Sequence, residues 1–328
     1  MASFKALDRM APVYVAGHRG LVGGAIWSQL ETAGFTSLIG RTSTELDLRD
    51  RPAVFAFFAE ERPTYVVLAA AKVGGILANS SHPADFISEN LQIQVNVLDA
   101  AARHGVRRLL FLGSSCIYPK LAPQPISEDT LLTGPLEPTN AAYAVAKIAG
   151  IAHVQALRQQ HGMSFISAMP TNLYGPGDNF DLETSHVLPA LIHRFHDATV
   201  TGATTVRLWG TGSPRREFLH VADVARAALF LLERYDDAAP INVGVGSDVS
   251  IKELAGIVAG VVGYEGGIAW DHDKPDGTPR KLLDVSRLSR LGWSPQIPLV
   301  EGIRSTYDWY VEHGTHDRRE MLRTRAEC

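Results

Sequence analysis

Cysteine is scarce in this chain of 328 residues, which contains only Cys116 and Cys328. Two cysteines cannot build a disulfide framework, so we expect a protein of a reducing, cytoplasmic compartment. No apolar run approaches the roughly eighteen residues that a membrane helix requires, and the N-terminal segment lacks the apolar stretch of a signal peptide. The net charge of −4 indicates neither a nucleic-acid nor an anionic-membrane partner.

Short apolar runs alternate with longer stretches of helical period through the first half of the chain. Runs such as PVYVAG and YVVLAAA are apolar throughout, which is typical of parallel strands covered by helices on both faces. The pattern therefore predicts a Rossmann-type, doubly wound α/β fold with a parallel sheet. The predicted strands span 12–17, 37–40, 65–71, 108–115 and 164–170, and the predicted helices span 21–33, 53–60, 83–104 and 143–162.

The regular alternation of strand and helix patterns ends near 170–178, where proline and glycine cluster. The run PINVGVG (240–246) is typical of a core strand that returns to the first sheet. We therefore expect a Rossmann domain of residues 1–175, completed by a strand and a helix near 218–250. A smaller α/β substrate domain, mainly residues 176–328, is expected to be interleaved with it. The predicted helices of this half span 187–198, 221–235, 251–263 and 299–313.

The segment GHRGLVG places Gly17, Gly20 and Gly23 between the first predicted strand and the first predicted helix. Glycines there allow a tight turn and a close approach of the backbone to a pyrophosphate, which the N-terminus of the following helix attracts. A glycine-rich turn without a ligand is the alternative, because the first gap is one residue longer than in the common G-x-G-x-x-G pattern. The strand–turn–helix context favours a dinucleotide site.

Two arginines bear on which dinucleotide would bind. A fold that selects NAD usually has Asp or Glu at the end of its second strand, where the carboxylate binds the ribose. Here the second predicted strand runs into Arg41, and Arg19 lies within the glycine loop. Guanidinium groups suit a 2′-phosphate, so we expect NADP(H). The alternative is that both arginines are solvated surface residues.

Tyr143 and Lys147 share a helix face, four residues apart. An ammonium near a phenol favours the phenolate, and such a tyrosine can pass a proton to a ketone oxygen as a hydride reaches the carbon. The Tyr-x-x-x-Lys spacing is common by chance and is usually structural. Its position after a Rossmann strand that carries Ser114 favours a catalytic role here.

Several longer segments match a known family. They include AGHRGLVG, AAAKVGGI, FLGSSCIYPK, EPTNAAYAVAKIAG, MPTNLYGPGDNF and KPDGTPRKLLDV. These segments resemble the extended short-chain dehydrogenase/reductase family, and within it the GDP-4-keto-6-deoxymannose epimerase-reductases. The resemblance covers nearly the whole chain, with Ala222 as one departure where an acidic residue is expected. It implies conversion of GDP-4-keto-6-deoxy-D-mannose to GDP-L-fucose by epimerisation at C3 and C5, followed by NADPH-dependent reduction at C4.

The resemblance also implies roles for individual residues and no metal. Ser114, Tyr143 and Lys147 would form the reductase triad, and Cys116 and His186 the acid/base pair of the epimerisation. A homodimer would form through helices 83–104 and 143–162. The residues implied at the cofactor are Gly17, His18, Arg19, Gly20, Leu21, Val22, Gly23, Arg41, Leu112, Gly113, Ser114, Ser115, Tyr143, Lys147, Pro170, Thr171, Asn172, Leu173 and His186. The residues implied at the nucleotide sugar are Asn172, Arg194, Trp209, Arg216, Asp276 and Lys281.

The chemistry of a 4-keto sugar accounts for a thiol and an imidazole in one site. The ketone acidifies the C–H bonds at C3 and C5, and inversion needs one group to remove a proton from one face and another to deliver a proton to the opposite face. Cysteine and histidine, with ordinary pKa values of about 8.5 and 6.5, suit this exchange. Reduction removes the ketone, so both inversions should precede hydride transfer. Related 4,6-dehydratases have an Asp-Glu pair where this chain has Ser115 and Cys116, which argues against dehydration.

Other functions remain open at this point. A narrower relative would epimerise only C5 of a GDP-4-keto sugar, as in GDP-colitose-type enzymes, or would simply reduce C4; the presence of both Cys116 and His186 weakens the pure reductase. A non-catalytic NADP-binding protein has no need of the set Ser114, Tyr143 and Lys147. For Cys116 alone, a buried hydrophobic role is the ordinary alternative.

Overall fold

The computed structural model describes residues 6–182, 184–274 and 276–314. Strands and helices alternate regularly through its first half, as the apolar runs predict. In chain order they are β1 (Val13–Ala16), α1 (Leu21–Thr32), β2 (Leu38–Ile39), α2 (Arg51–Glu61), β3 (Tyr65–Leu68), α3 (Ile76–Ser81), α4 (Pro83–Arg103), β4 (Arg108–Leu112), α5 (Ala141–His161) and β5 (Ser164–Pro170). The short helix α3 is an element that the sequence pattern did not predict.

The second half combines four longer helices with short strands. In chain order its elements are β6 (Asn172–Tyr174), α6 (Val187–Thr201), β7 (Thr205–Trp209), β8 (Arg215–Arg216), β9 (Phe218–His220), α7 (Val221–Arg234), β10 (Ile241–Val243), β11 (Val249–Ser250), α8 (Ile251–Val262), β12 (Gly267–Asp271), β13 (Arg280–Lys281), α9 (Ser286–Arg290) and α10 (Leu299–Trp309). The helix predicted over 299–313 ends as an α-helix at Trp309, and a π-helical turn follows it.

Six parallel strands form the main sheet in the order β10-β5-β4-β3-β1-β2. The chain passes from β1 to β2 on one side and then crosses to β3 on the other side, so the strand order reverses between β1 and β3. Ligands of open α/β sheets bind outside the carboxyl ends of the strands at such a point. The loops after β1 and β3 meet there, since a Cβ on Gly17 would lie 2.9 Å from the backbone of Ala70. The predicted doubly wound α/β fold is confirmed.

The strands of the main sheet are buried on both faces. Val13 and Val15 of β1 pack into a core with α1 and α7, whereas Tyr14 and Ala16 pack into a second core with α2, α4 and α5. None of these four side chains is more than 1% exposed. Burial of one such large apolar side chain contributes about 1.5–3 kcal/mol. The strands are therefore a rigid base for the loops at their carboxyl ends.

A third core joins α6, α8 and α10 with β7 and β12 in the C-terminal part of the chain. Next to it, β8 pairs with β11 and β13 in a small sheet. The chain leaves this region through β9 and α7 and returns to the main sheet with β10, which pairs with β5. The exact residue bounds of the two domains stay a prediction. None of the helices in the described ranges has the length and the apolar character needed to cross a bilayer.

Candidate active site

The turn between β1 and α1 depends on glycine. Gly17 has a φ of +85°, in the left-handed region, and a Cβ on Gly23 would lie 2.0 Å from the carbonyl oxygen of Gly17. The N–H of Gly20 donates to the same carbonyl at 3.0 Å. Helix α1 then begins at Leu21 with no acidic side chain in its first turn. The turn thus offers a pyrophosphate a close backbone approach and the positive end of a helix.

His18, Arg19 and Arg41 lie together beside this turn. Burial lowers the pKa of His18, and the nearby charges of Arg19 and Arg41 lower it further against an opposing effect of Glu45. Arg41 also forms an ion pair with Glu61 of α2. A 2′-phosphate at this position would have two guanidinium groups within reach but would share one of them with a carboxylate. The assignment of these residues to the cofactor stays a prediction.

Lys147 is fixed behind the end of β4. Its Nζ donates to the carbonyl of Leu112 at 2.8 Å and lies 4.9 Å from the centroid of the Phe111 ring. Helix α5 can come this close to β4 because a glycine faces the ring: a Cβ on Gly150 would lie 2.4 Å from Phe111. Lys147 is 4% exposed, and burial lowers its pKa to about 8. Near neutral pH the ammonium is still mostly charged, next to the strand end that carries Ser114.

Tyr143 and Ser114 lie close enough for the Ser114 side chain to influence the pKa of Tyr143. Burial raises this pKa, the charge of Cys116 adds to the rise, and the influence of Ser114 offsets them only in part. The Nζ of Lys147 lies 5.9 Å from the centroid of the Tyr143 ring. The expected lowering of the pKa of Tyr143 by this ammonium is therefore not met in this arrangement. The phenol keeps its proton, as a proton donor must.

Cys116 follows Ser114 in a short 3₁₀ turn, and its N–H donates to the Ser114 hydroxyl at 3.2 Å. Its Sγ lies 3.5 Å from the Nζ of Lys281 on β13. Burial, the largest single influence, raises the pKa of the thiol, but Lys281, Ser114 and Arg216 together outweigh it and bring the pKa below its ordinary value. The surroundings of Cys116 therefore favour the thiolate.

His186 is the residue directly before α6. Its side chain is exposed on one side, yet partial burial lowers its pKa and the charge of Lys281 lowers it further. The same ammonium thus acts on both Cys116 and His186. The two residues of the predicted acid/base pair thus lie within electrostatic range of one lysine, although they are far apart in the sequence.

Of the residues predicted at the nucleotide sugar, Lys281 and Arg216 lie near Cys116, and Asp276 lies near Arg216. Arg216 of β8 is the strand partner of Lys281 on β13, and the carboxylate of Asp276 is close enough to influence the pKa of Arg216. Asp276 also accepts hydrogen bonds from the N–H and the hydroxyl of Thr211, each at 2.8 Å. It thereby fixes the loop that follows β7.

The other three predicted sugar residues are spread over separate elements. The side-chain amide of Asn172 on β6 donates to the carbonyl of Glu217 at 2.7 Å. Arg194 is half-buried on α6, and Trp209, 61% exposed, ends β7. In the part of the chain that the structure describes, no contact joins Arg194 or Trp209 directly to Cys116. Their roles stay predictions.

The sequence matches the model of the NAD dependent epimerase/dehydratase family over residues 13–244. It is 63% identical over 313 residues to the probable GDP-L-fucose synthase 1 of Oryza sativa subsp. japonica, and the aligned region covers 95% of each chain. The GDP-L-fucose synthase of Escherichia coli (strain K12) is 54% identical over 310 residues, 92% of this chain and 97% of the relative. The chain belongs to the GDP-L-fucose synthase family. The resemblance inferred from the motifs is confirmed.

The fold agrees with solved structures of the same family. A GDP-L-fucose synthetase from Naegleria fowleri bound to NADP superposes with a TM-score of 0.87 at 30% identity, covering 95% of this chain and 97% of that chain.

A small cleft beside Cys116 contains residues to which the sequence assigned no role. It is lined by Glu137, Thr278, Lys120 and Lys281 among others. Glu137 accepts from Lys120 at 3.0 Å and from the Thr278 hydroxyl at 3.2 Å. Glu137 and Thr278 stand inside two of the motifs that carry the family resemblance, EPTNAAYAVAKIAG and KPDGTPRKLLDV. Their place inside these motifs is the sequence signal that could have identified Glu137 and Thr278 as site residues.

Proposed function

We propose that this protein is a GDP-L-fucose synthase, which converts GDP-4-keto-6-deoxy-D-mannose to GDP-L-fucose with NADPH. The observation that carries the proposal is the place of Cys116, two residues after Ser114 and with its Sγ 3.5 Å from the Nζ of Lys281. A simple reductase needs only the hydroxyl pair of Ser114 and Tyr143. An epimerase also needs groups that exchange protons with carbon, and a thiol held near its thiolate form is such a group.

The residues around the first turn fit NADP(H). Gly17 and Gly23 let the turn close tightly, because a Cβ on Gly17 would meet the Ala70 backbone and a Cβ on Gly23 would meet the Gly17 carbonyl oxygen; a turn this tight exposes backbone N–H groups to a pyrophosphate. Arg19 and Arg41 supply two guanidinium groups for a 2′-phosphate, and the strand end at Leu112–Ser115 and the segment 170–173 complete the proposed site. When bound, NADPH supplies the hydride that reduces C4.

Tyr143 and Ser114 would bind the C4 oxygen of the sugar. The two hydroxyl groups are close enough for Ser114 to influence the pKa of Tyr143, so both can turn to one ketone oxygen and stabilise negative charge on it. Because burial keeps the phenol of Tyr143 protonated, it can donate its proton to this oxygen during reduction. Lys147, charged near neutral pH and fixed at the Leu112 carbonyl, would complete the reductase triad.

Cys116 and His186 would invert C3 and C5 before the reduction. The C4 oxygen takes up the charge of an enolate while one of the two groups removes a proton and the other returns a proton to the opposite face. The hydroxyl groups of Ser114 and Tyr143 stabilise this enolate just as they stabilise the oxygen during reduction. The residues in or around the nucleotide-sugar site would be Asn172, Arg194, Trp209, Arg216, Asp276 and Lys281, with Arg194, Arg216 and Lys281 as candidates for the phosphates.

The protein would act as a homodimer in the cytoplasm. Helices α4 and α5 pack against each other on one face of the main sheet. Each leaves a valine in contact with solvent, Val95 at 36% and Val145 at 44% exposure. A contact between two copies through these helices would cover both side chains.

Product analysis tests the proposed function. GDP-4-keto-6-deoxy-D-mannose and NADPH should give GDP-L-fucose, while Tyr143→Phe, which removes the proton donor, should lower its formation about a hundredfold or more. A product that is reduced at C4 but inverted only at C5, or not inverted, would favour the narrower reductase. NADPH binding without turnover on any 4-keto GDP-sugar would instead indicate a non-catalytic protein.

A further inference from the structure

Lys281 places its ammonium beside the sulfur of Cys116. The short strand β13 brings it there by pairing with β8, so that Lys281 lies opposite Arg216. Its Nζ is 3.5 Å from the Cys116 Sγ, a distance at which the ammonium can donate a hydrogen bond to sulfur. The two residues are 165 positions apart in the chain, so only the folded protein brings them together.

We propose that Lys281 is a positioning residue that holds Cys116 as a thiolate, ready to exchange a proton with the sugar. The family resemblance implied a contact of Lys281 with the nucleotide sugar. The contact with the Cys116 sulfur gives Lys281 a second role, at the reacting centre. The proposal rests on the proposed function, because a thiolate here has a use only if Cys116 acts on a substrate C–H bond.

The neighbouring groups support a specific role for Lys281. Arg216 is the other cation whose charge favours the thiolate, and it is shared with Glu137 and Asp276. The charge of Lys281 also disfavours protonation of His186, so one ammonium influences both members of the acid/base pair. Among the described residues, the ionisable or charged groups that face or surround Cys116 are Tyr118 after the 3₁₀ turn, Tyr143 on α5, Arg216 on β8, Arg280 and Lys281 on β13, and Lys120 and Glu137 in the intervening loops.

A thiol titration tests the proposal without any substrate. Cys328→Ser leaves Cys116 as the single cysteine of the chain, and the ultraviolet absorbance of the thiolate is then followed against pH. Lys281→Met removes a positive charge 3.5 Å from the sulfur, so the midpoint of the Cys116 titration should rise by about one pH unit or more. Lys281→Arg should restore most of the shift. Tight binding of NADPH by each variant confirms that it is folded, and Lys281→Gln replaces the methionine variant if that one does not fold.

Arg280→Met is the matched control. It removes a positive charge from the neighbouring position on the same strand, but the Arg280 guanidinium is paired with Asp248 at 2.5 Å. Its midpoint should stay close to that of the parent protein. Equal shifts in Arg280→Met and Lys281→Met would show a general charge effect and overturn the proposal.

Kinetics separate the two tasks of Lys281. If Lys281 holds the thiolate, Lys281→Met should slow solvent-deuterium exchange at the sugar carbons and move the acidic limb of its pH profile upward. An unchanged midpoint, together with a raised KM and an unchanged kcat, would show that Lys281 binds only the nucleotide sugar and would overturn the proposal. Failure of the parent protein to form GDP-L-fucose would contradict the proposed function, but the thiol titration would still decide the Lys281–Cys116 contact.

Discussion

Replacing Lys147 by methionine should make the protein more stable near neutral pH although it disables the proposed reduction. Lys147 is 4% exposed, and its Nζ has a carbonyl oxygen, that of Leu112, at 2.8 Å. Burial lowers its pKa from 10.5 to about 8. Methionine has a similar length and no charge, so it fits the same apolar surroundings without the cost of burying an ammonium.

The size of the effect follows from the pKa. At roughly 1.4 kcal/mol for each pH unit, a fall from 10.5 to about 8 corresponds to a destabilisation of about 3 kcal/mol at neutral pH. The hydrogen bond to Leu112, which the variant loses, offsets about 1 kcal/mol of this. We therefore expect Lys147→Met to raise the free energy of unfolding by about 2 kcal/mol near pH 7.

The pH dependence has a defined sign. Between about pH 8 and pH 10.5 the unfolded chain still binds the proton that the folded chain has lost. The stability of the wild-type protein should therefore rise with pH in this window relative to that of the variant. The advantage of Lys147→Met is full below about pH 8 and disappears as the pH approaches 10.5.

Urea unfolding of both proteins near pH 7 and near pH 10 measures the difference. Lys252→Met is the control, because Lys252 is exposed on α8 and its replacement should change stability by less than about 0.5 kcal/mol at either pH. Reduction of the 4-keto sugar should fall in the Lys147 variant alone. A less stable Lys147→Met at neutral pH, or a stability difference that does not shrink with rising pH, would refute this reasoning.

Three further predictions concern other parts of the site. Cys116→Ser should bind NADPH normally but slow deuterium exchange at C3 and C5 about a hundredfold or more; undiminished GDP-L-fucose formation would remove the thiol from the mechanism. Arg41→Asp should shift the ratio of kcat/KM values about tenfold or more from NADPH towards NADH, and an unaltered ratio would place the 2′-phosphate elsewhere. Gly23→Ala, whose Cβ would lie 2.0 Å from the Gly17 carbonyl oxygen, should weaken NADPH binding and destabilise the protein by about 1–3 kcal/mol. Gly256→Ala, on the exposed face of α8 with nothing within 4 Å of the added Cβ, should be neutral or slightly stabilising.

The main sheet could be predicted because its strands are buried on both faces. The run that becomes β1 is apolar at every position, and this pattern does not depend on distant parts of the chain. The strand–glycine–helix unit at Gly17–Gly23 is equally local, and so is the i, i+4 pair of Tyr143 and Lys147. Local patterns therefore predicted the fold and one end of the candidate site.

The rest of the site depends on contacts that no local pattern contains. Strands β8 and β13 have two residues each, too short for a periodic signal, yet they bring Arg216 and Lys281 to Cys116. The direction of the Lys147 side chain was also not predictable from spacing. Lys147 lies four positions after Tyr143, and this spacing suggested an ammonium close to the phenol. In the structure, close packing of α5 on β4 directs the Nζ of Lys147 to the Leu112 carbonyl instead.

Solvent deuterium gives the most direct test of the account, because both inversions require loss and return of a proton before the ketone is reduced. GDP-4-keto-6-deoxy-D-mannose is converted with NADPH in heavy water, and the product is analysed carbon by carbon. We expect GDP-L-fucose with deuterium at both C3 and C5. A reduced product without deuterium at either carbon would contradict it.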